Sequence, residues 1–299
     1  MKIGFIGTGV MGSRMVKRLL DQDYEVHVYN RTKEKARPLQ EIGAYLVDSI
    51  AQLAGECDII CSCLAMPADV LEVYLGANGI LENAQRGVVC IDFTSVGADT
   101  SKTIFEQALS NGINYLDSPV SGGPEGVENG SLTIMVGGEK DSFEEVLPIL
   151  KVIGGNIEYL GSSGSGSIAK LINQYLVAVH SLAASEAMVA GAAYGLDSEK
   201  LFNLLKVSYG DSKILRRHMG DFVLDRQFNP GGAVKYVHKD VRLANQLFEE
   251  IGMKQFTGQL AQQAFQQAEA KGYKDLDMSA VILSLEETCD VVVKKQIKA

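Results

Sequence analysis

The sequence reads as an α/β protein: a doubly wound parallel sheet first, an all-helical domain second, and a long interdomain helix joining them. Three patterns carry this. Up to about residue 160, short apolar runs alternate with amphipathic stretches, the order of strand, crossover helix and parallel strand. A stretch free of glycine and proline then runs from Ile168 to Ala190, with Ile168, Leu171, Ile172, Tyr175, Val179, Leu182 and Ala183 at three- and four-residue spacing. Beyond Gly195 the periodic segments all read helical.

In chain order, residues 2–6 form an apolar strand that runs straight into Gly7-Thr8-Gly9-Val10-Met11-Gly12. Residues 13–20 continue as a helix with Met15, Val16, Leu19 and Leu20 inward. A second strand is expected at 25–29 and a helix at 33–42. Residues 59–64 are almost continuously apolar, as in a strand covered on both faces. Helices at 68–75, 100–109 and 141–150 and strands at 88–91, 132–136 and 157–160 complete this half. The small, polar run Gly161-Ser162-Ser163-Gly164-Ser165-Gly166-Ser167 marks the junction, so residues 1–163 and 164–299 are read as two domains. Gly195 followed by Leu196-Asp197 stops the long helix. Helices follow at 198–207, 233–251, 255–271 and 279–294, interrupted by Asn229-Pro230-Gly231-Gly232.

The chain has 299 residues, 46% hydrophobic and 22% charged, which suits a globular protein of two domains. Its net charge of -9 argues against general binding to nucleic acid or to anionic membranes. The apolar region at 175–193 contains His180 and Glu186 and is read as too polar to span a bilayer. The apolar run after Lys2 is too short for a signal peptide, so a cytoplasmic protein is expected. Cys57, Cys61, Cys63, Cys90 and Cys289 lack metal spacing, and the four histidines are scattered, so no metal site is expected.

The motif Gly7-x-Gly9-x-x-Gly12 sits between a strand and a helix. In a Rossmann-type fold the first glycine makes the tight turn, the second lets a pyrophosphate reach the backbone, and the third lets helix pack on strand. Val10 and Met11 then belong to the helix N-terminus, whose free N–H groups favour phosphate. Strand before, helix after and a second strand on schedule separate this motif from a plain glycine turn. At the end of the second strand stand Asn30-Arg31-Thr32, with no acid for the ribose hydroxyls. Arg31 would attract a 2′-phosphate and stack on adenine, while Asn30 and Thr32 add hydrogen bonds, so NADP is favoured and NAD remains possible.

Ser121-Gly122-Gly123 sets a hydroxyl beside two unshielded backbone N–H groups. Such a nest suits a carboxylate, and equally a loop that turns because glycine turns. Lys170 and Asn173 are three apart and share a helix face one turn into the long helix. On spacing alone they could equally be a solvated surface pair.

Four blocks in order resolve these alternatives: residues 7–12, residues 117–126 with Asp117-Ser118-Pro119-Val120-Ser121-Gly122-Gly123, residues 164–174, and Lys239-Asp240-Val241-Arg242-Leu243-Ala244. Together they resemble, over the whole length, the β-hydroxyacid dehydrogenase family of the 3-hydroxyisobutyrate dehydrogenase type. The resemblance implies Lys170 as catalytic acid and base and Asn173 as the residue that orients substrate. It implies that Ser121, Gly122 and Gly123 hold the substrate carboxylate. Lys239 is placed by it at the cofactor and substrate cleft, Thr94 near the nicotinamide, and Leu64 and Ala65 along the cofactor. It also implies a homodimer or homotetramer, and small faces such as Ala183, Ala184, Ala187, Ala190 and Gly191 would let helices pack closely between subunits.

The chemistry expected is hydride transfer between NADP(H) or NAD(H) and a short-chain hydroxyacid or semialdehyde, with Lys170 exchanging the proton at the oxygen. A free lysine at pKa ~10.4 is a poor base near neutrality, and burial in the cleft with Lys239 nearby would favour the neutral amine. Glyoxylate/succinic semialdehyde and tartronate semialdehyde reductases are alternatives within the class. A non-catalytic cofactor-binding module is the alternative outside it, and Lys170 in its glycine-rich context argues against that. Gly232 stands where the family often has a bulky residue, and Ser212-Lys213 replaces a common Ser-Trp pair. Both departures leave the particular hydroxyacid open.

Overall fold

The computed structural model describes residues 1–295. It divides into two compact units, Met1–Lys170 and Leu171–Ala299. The first contains β1 (Lys2–Ile6), α1 (Val10–Leu20), β2 (Glu25–Tyr29), α2 (Arg37–Glu41), β3 (Tyr45–Leu46), α3 (Ile50–Glu56), β4 (Ile59–Ser62), α4 (Pro67–Leu75), α5 (Ile80–Asn83), β5 (Val89–Asp92), α6 (Ala98–Ser110), β6 (Asn114–Asp117), β7 (Val120–Ser121), α7 (Gly123–Glu128), β8 (Leu132–Gly137), α8 (Lys140–Ile153) and β9 (Gly154–Gly161). One sheet runs β3-β2-β1-β4-β5-β6-β8-β7, with β9 added beside β8. β1 to β6 pair in parallel, and β8 turns antiparallel to β6 and β7. The order 3-2-1-4-5-6 is that of the Rossmann sheet.

The strands bury both faces. Ile3, Phe5, Val26 and Val28 pack with Met15, Val16 and Leu19 of α1 and with Val146, Ile149 and Leu150 of α8. Ile6, Ile60 and Cys90 point the other way, against Leu53, Val70, Tyr74 and Ile104 of α3, α4 and α6. The two-residue alternation of a strand thus feeds two helical layers. Each fully buried Leu, Val or Met contributes about 1.5–3 kcal/mol.

The long helix α9 (Ser165–Ala193) starts in the first unit and continues into the second, followed by α10 (Ser198–Leu205), α11 (Lys213–Arg217), a π-helical turn at His218–Val223, α12 (Val234–Glu250), α13 (Gly258–Ala270) and α14 (Val281–Cys289). Gly195, at φ +79°, ends α9 in the left-handed conformation expected of it. By length and composition alone α9 could cross a membrane, against the reading of 175–193 as too polar. In the second unit it is a core helix. Ala178 packs with Val234, Val237, Val241 and Phe265, while Met188 and Val189 pack with Phe202, Leu215 and Met219.

Some elements differ from expectation. The helix expected at 33–42 breaks into a 3-10 turn at Lys33–Lys35 and α2, because Pro38 opens a new first turn. β6 and β7 went unread because they are four and two residues long and polar at their ends. The last expected helix stops at Cys289, where Asp290 turns left-handed at φ 51°.

Candidate active site

Chain order reverses in the sheet between β1 and β4, and the C-terminal ends of those strands form the crevice where such sheets bind ligands. Gly7 turns there at φ +93°, and a side chain on it would strike the Cys63 carbonyl after β4. A side chain on Gly12 would strike the Gly7 carbonyl and the Phe5 ring, so α1 lies directly on β1. Gly9 caps α1, and a Cβ built there meets nothing within 4 Å. Two glycines are therefore required by packing, and the third leaves open space at the helix N-terminus. Val10 is 59% exposed beside it, and Met11 packs against the core. This cradle fits a dinucleotide pyrophosphate.

Asn30 holds the loop: its Oδ1 accepts from the Thr8 amide at 3.0 Å, and its Nδ2 donates to the Thr32 carbonyl at 2.8 Å. Arg31 reaches outward and pairs with Asp69 at the start of α4. Asn30 thus braces the loop that follows β2, while Arg31 is an exposed cation.

Leu64 and Thr94 are joined directly. The Leu64 amide donates to Thr94 Oγ1 at 2.9 Å, and the Thr94 amide donates to Asp92 Oδ1 at 3.1 Å. Ser62 also donates to Asp92 Oδ1, at 2.8 Å, and Tyr115 donates to Oδ2 at 3.3 Å. Asp92 is fully buried at the end of β5, and burial pushes its carboxyl up to about 6 despite these donors. Sequence reasoning missed Asp92. Its signal was an acid ending an otherwise apolar strand. Ala65, one residue on from Leu64, is exposed.

Ser121 ends β7, opposite Thr133 of β8. Gly122 and Gly123 follow with φ of +136° and +67°, which disfavour any side chain, and α7 begins at Gly123. Lys170 lies at the end of the first unit, on α9, and is 7% exposed. The solvated alternative for this lysine is therefore set aside.

In the second unit, Asn173 and Lys239 are linked through two residues that sequence reasoning did not single out. Asn173 Nδ2 donates to Gln174 Oε1 at 3.0 Å, and Gln174 Nε2 donates to Asp240 Oδ2 at 2.6 Å. The Lys239 ammonium lies 3.0 Å from Asp240 Oδ1, with Lys239 7% exposed. Asp240 therefore compensates the positive charge of Lys239 at close range. The same unit holds the Pro-Gly segment with Asp277, which accepts from the Gly231 and Gly232 amides and pairs bidentately with Arg217. Burial alone would raise the Asp277 carboxyl, but Arg217 and the Ser279 donors hold it below the usual range. Among the described residues no cluster of His, Cys, Asp and Glu could hold a metal ion.

Comparison with known proteins agrees with this architecture. Residues 2–161 match the family described as the NAD binding domain of 6-phosphogluconate dehydrogenase. Residues 164–285 match the family described as NAD-binding of NADP-dependent 3-hydroxyisobutyrate dehydrogenase. The chain is 34% identical to 2-hydroxy-3-oxopropionate reductase of Escherichia coli, over 96% of this chain and 97% of that protein. It is 33% identical to 2-(hydroxymethyl)glutarate dehydrogenase of Eubacterium barkeri, over 98% and 97%. The crystal structure of 3-hydroxyisobutyrate dehydrogenase from Salmonella typhimurium superposes with a TM-score of 0.87 at 25% identity, over 95% of this chain and 99% of that one. The chain belongs to the β-hydroxyacid dehydrogenase family of NAD(P)-dependent oxidoreductases.

Proposed function

We propose that the protein interconverts a short-chain hydroxyacid and its semialdehyde with NADP(H) as preferred cofactor, using Lys170 as acid and base. The observation that carries this is Lys170 itself, an amine buried at the onset of α9 in a family of hydroxyacid dehydrogenases. When bound, the nicotinamide supplies or accepts the hydride. The glycine cradle at residues 7–12 holds the pyrophosphate, Arg31 takes the 2′-phosphate, Leu64 and Ala65 line the cofactor, and Thr94 lies near the nicotinamide. The amides of Gly122 and Gly123 and the Ser121 hydroxyl take the substrate carboxylate, since charge-assisted hydrogen bonds suit an anion. Lys170 gives a proton to the carbonyl oxygen in reduction and removes it from the hydroxyl in oxidation. Asn173, three residues on along α9, orients that oxygen.

The test is consumption of NADPH and NADH with glyoxylate, succinic semialdehyde and tartronate semialdehyde. The reverse reaction uses 3-hydroxyisobutyrate and 2-(hydroxymethyl)glutarate. Turnover of at least one acid is expected, faster with NADPH, and falling roughly 10²–10⁴-fold in Lys170→Ala. Turnover undiminished in that variant would overturn the assignment.

We also propose self-assembly through α9. Of the small residues expected to form this face, Ala183, Ala187 and Ala190 are exposed and share one helical stripe with Ile172 and Leu176, whereas Ala184 and Gly191 are buried within the chain. Light scattering should show a dimer or tetramer, and a monomer at micromolar concentration would refute it.

A further inference from the structure

Asp117 is the last residue of β6 and is 1% exposed. A buried carboxylate is costly unless it is hydrogen-bonded. Its two oxygens accept from two backbone amides at the start of α9: Oδ1 from Gly164 at 2.8 Å and Oδ2 from Ser167 at 2.8 Å. The first amides of a helix have no partners within it and carry partial positive charge, so a carboxylate there is doubly favoured. Such caps normally come from a neighbour in sequence. Here the acid comes from 50 residues upstream.

The surroundings leave the helix start little freedom. A Cβ on Gly166 would collide with the Met135 carbonyl and lie 2.7 Å from the Asp117 carbonyl oxygen, so the backbone of α9 rests directly on β8 and β6. The Ser167 hydroxyl bonds the Ser101 hydroxyl of α6 at 2.9 Å. Lys170 follows Ser167 by three residues, on the same face one turn on. In the other direction, β6 leads through Ser118 and Pro119 into Ser121-Gly122-Gly123.

We propose that Asp117 is a positioning residue for the reaction: by capping α9 from the strand that leads to the carboxylate-binding loop, it fixes the place of Lys170 relative to the bound acid. The groups bonded to it are the Gly164 and Ser167 amides, joined by the Ser167 side chain. A shift of the helix start would move the amine and leave the glycine cradle for the cofactor untouched. The inference rests on Lys170 acting as the acid and base.

The test is Asp117→Asn, which keeps one acceptor and turns the other into a donor facing an N–H. The expected signature is a fall in kcat of roughly 10–100-fold, the effect of a small misplacement of a catalytic group. KM for NADPH should stay within about twofold. Ser101→Ala removes the second tie and should show the same split, with a smaller loss. A kcat within twofold of wild type in folded Asp117→Asn overturns the proposal, as does a fall in cofactor affinity parallel to the fall in kcat. Should Asp117→Asn not fold, Ser101→Ala decides: kcat lowered with KM for NADPH unchanged supports the proposal, and unchanged kcat overturns it. Lys170→Ala measured alongside separates the two readings. If it keeps full turnover, the assignment of Lys170 fails. If only the Asp117 and Ser101 variants keep turnover, the positioning role fails while Lys170 stands.

Discussion

Arg31 Nη1 lies 3.3 Å from Oδ1 of Asp69, and the arginine side chain is 83% exposed. An exposed pair of this kind is worth about 0–1 kcal/mol. A phosphate carries more charge than one carboxylate and accepts a guanidinium bidentately, so it competes well for Arg31. Two opposite effects follow. Arg31→Ala should lower kcat/KM for NADPH by roughly tenfold or more and leave that for NADH nearly unchanged. Asp69→Asn should raise kcat/KM for NADPH by about two- to fivefold, the equivalent of about 0.5–1 kcal/mol. An unchanged NADPH/NADH ratio in both variants would remove Arg31 from cofactor selection.

The glycines of the cradle separate packing from binding. Gly9 has φ -72° and open space where a methyl would stand. Gly9→Ala should therefore keep its Tm while weakening cofactor binding, because the methyl occupies the approach of the pyrophosphate. Gly12→Ala places its methyl against the Gly7 carbonyl. It should cost about 1–3 kcal/mol of stability as overpacking, visible as a lowered Tm without cofactor. Equal Tm losses in the two variants would contradict this division.

Much of this arrangement was legible in the chain, for definite reasons. The glycine motif and the apolar strands are local signals, and each glycine role became a specific collision or a specific opening. The helical stretch bearing Lys170 was equally local. Asp92 and Asp240 were not legible as site residues, because what matters about them is partners 30 and 66 residues away. A carboxylate at a strand end and one beside a lysine look ordinary until the fold brings Ser62 and Gln174 to them. β7 was lost for a related reason: a two-residue strand is defined by its partner β8 and carries no period of its own.

Asp92 gives a prediction about stability. Its carboxyl is raised from 3.8 to about 6 in the folded protein, chiefly by burial. The folded state therefore binds a proton more tightly than the unfolded state does. Its contribution to stability is fully present below about pH 4 and is lost as pH rises through about 6. At neutral pH the ionised group costs on the order of 3 kcal/mol. Asp92→Asn keeps an oxygen for Ser62 and the Thr94 amide, and its amino group can donate to the Tyr115 oxygen. The variant should be as stable as wild type or more so at pH 7. Its stability relative to wild type should rise between pH 4 and 6.5. Urea unfolding across that range reads the difference, and a difference independent of pH would show that Asp92 does not titrate there.

Lys170 admits a sharper test than its removal. Two substitutions divide the roles a buried cation can play. Lys170→Met keeps length and apolar packing but has no proton to exchange. Lys170→Arg keeps the charge, yet guanidinium does not release its proton near neutrality. If the amine is the acid and base, both variants should lose roughly 10²–10⁴-fold in kcat while cofactor binding persists. If Lys170 only attracts the carboxylate, the arginine variant should keep most of its kcat and the methionine variant should chiefly raise KM for the acid. The pH dependence adds a sign. Oxidation needs the neutral amine, so its kcat should rise with pH toward a plateau. Reduction needs the ammonium, so its kcat should fall as pH rises. Loss of both limbs in Lys170→Met, with the residual rate flat in pH, would identify the titrating group as Lys170. Limbs that survive in that variant would assign the proton to another group, and Lys239, paired with Asp240 at 3.0 Å, is the next buried amine to substitute.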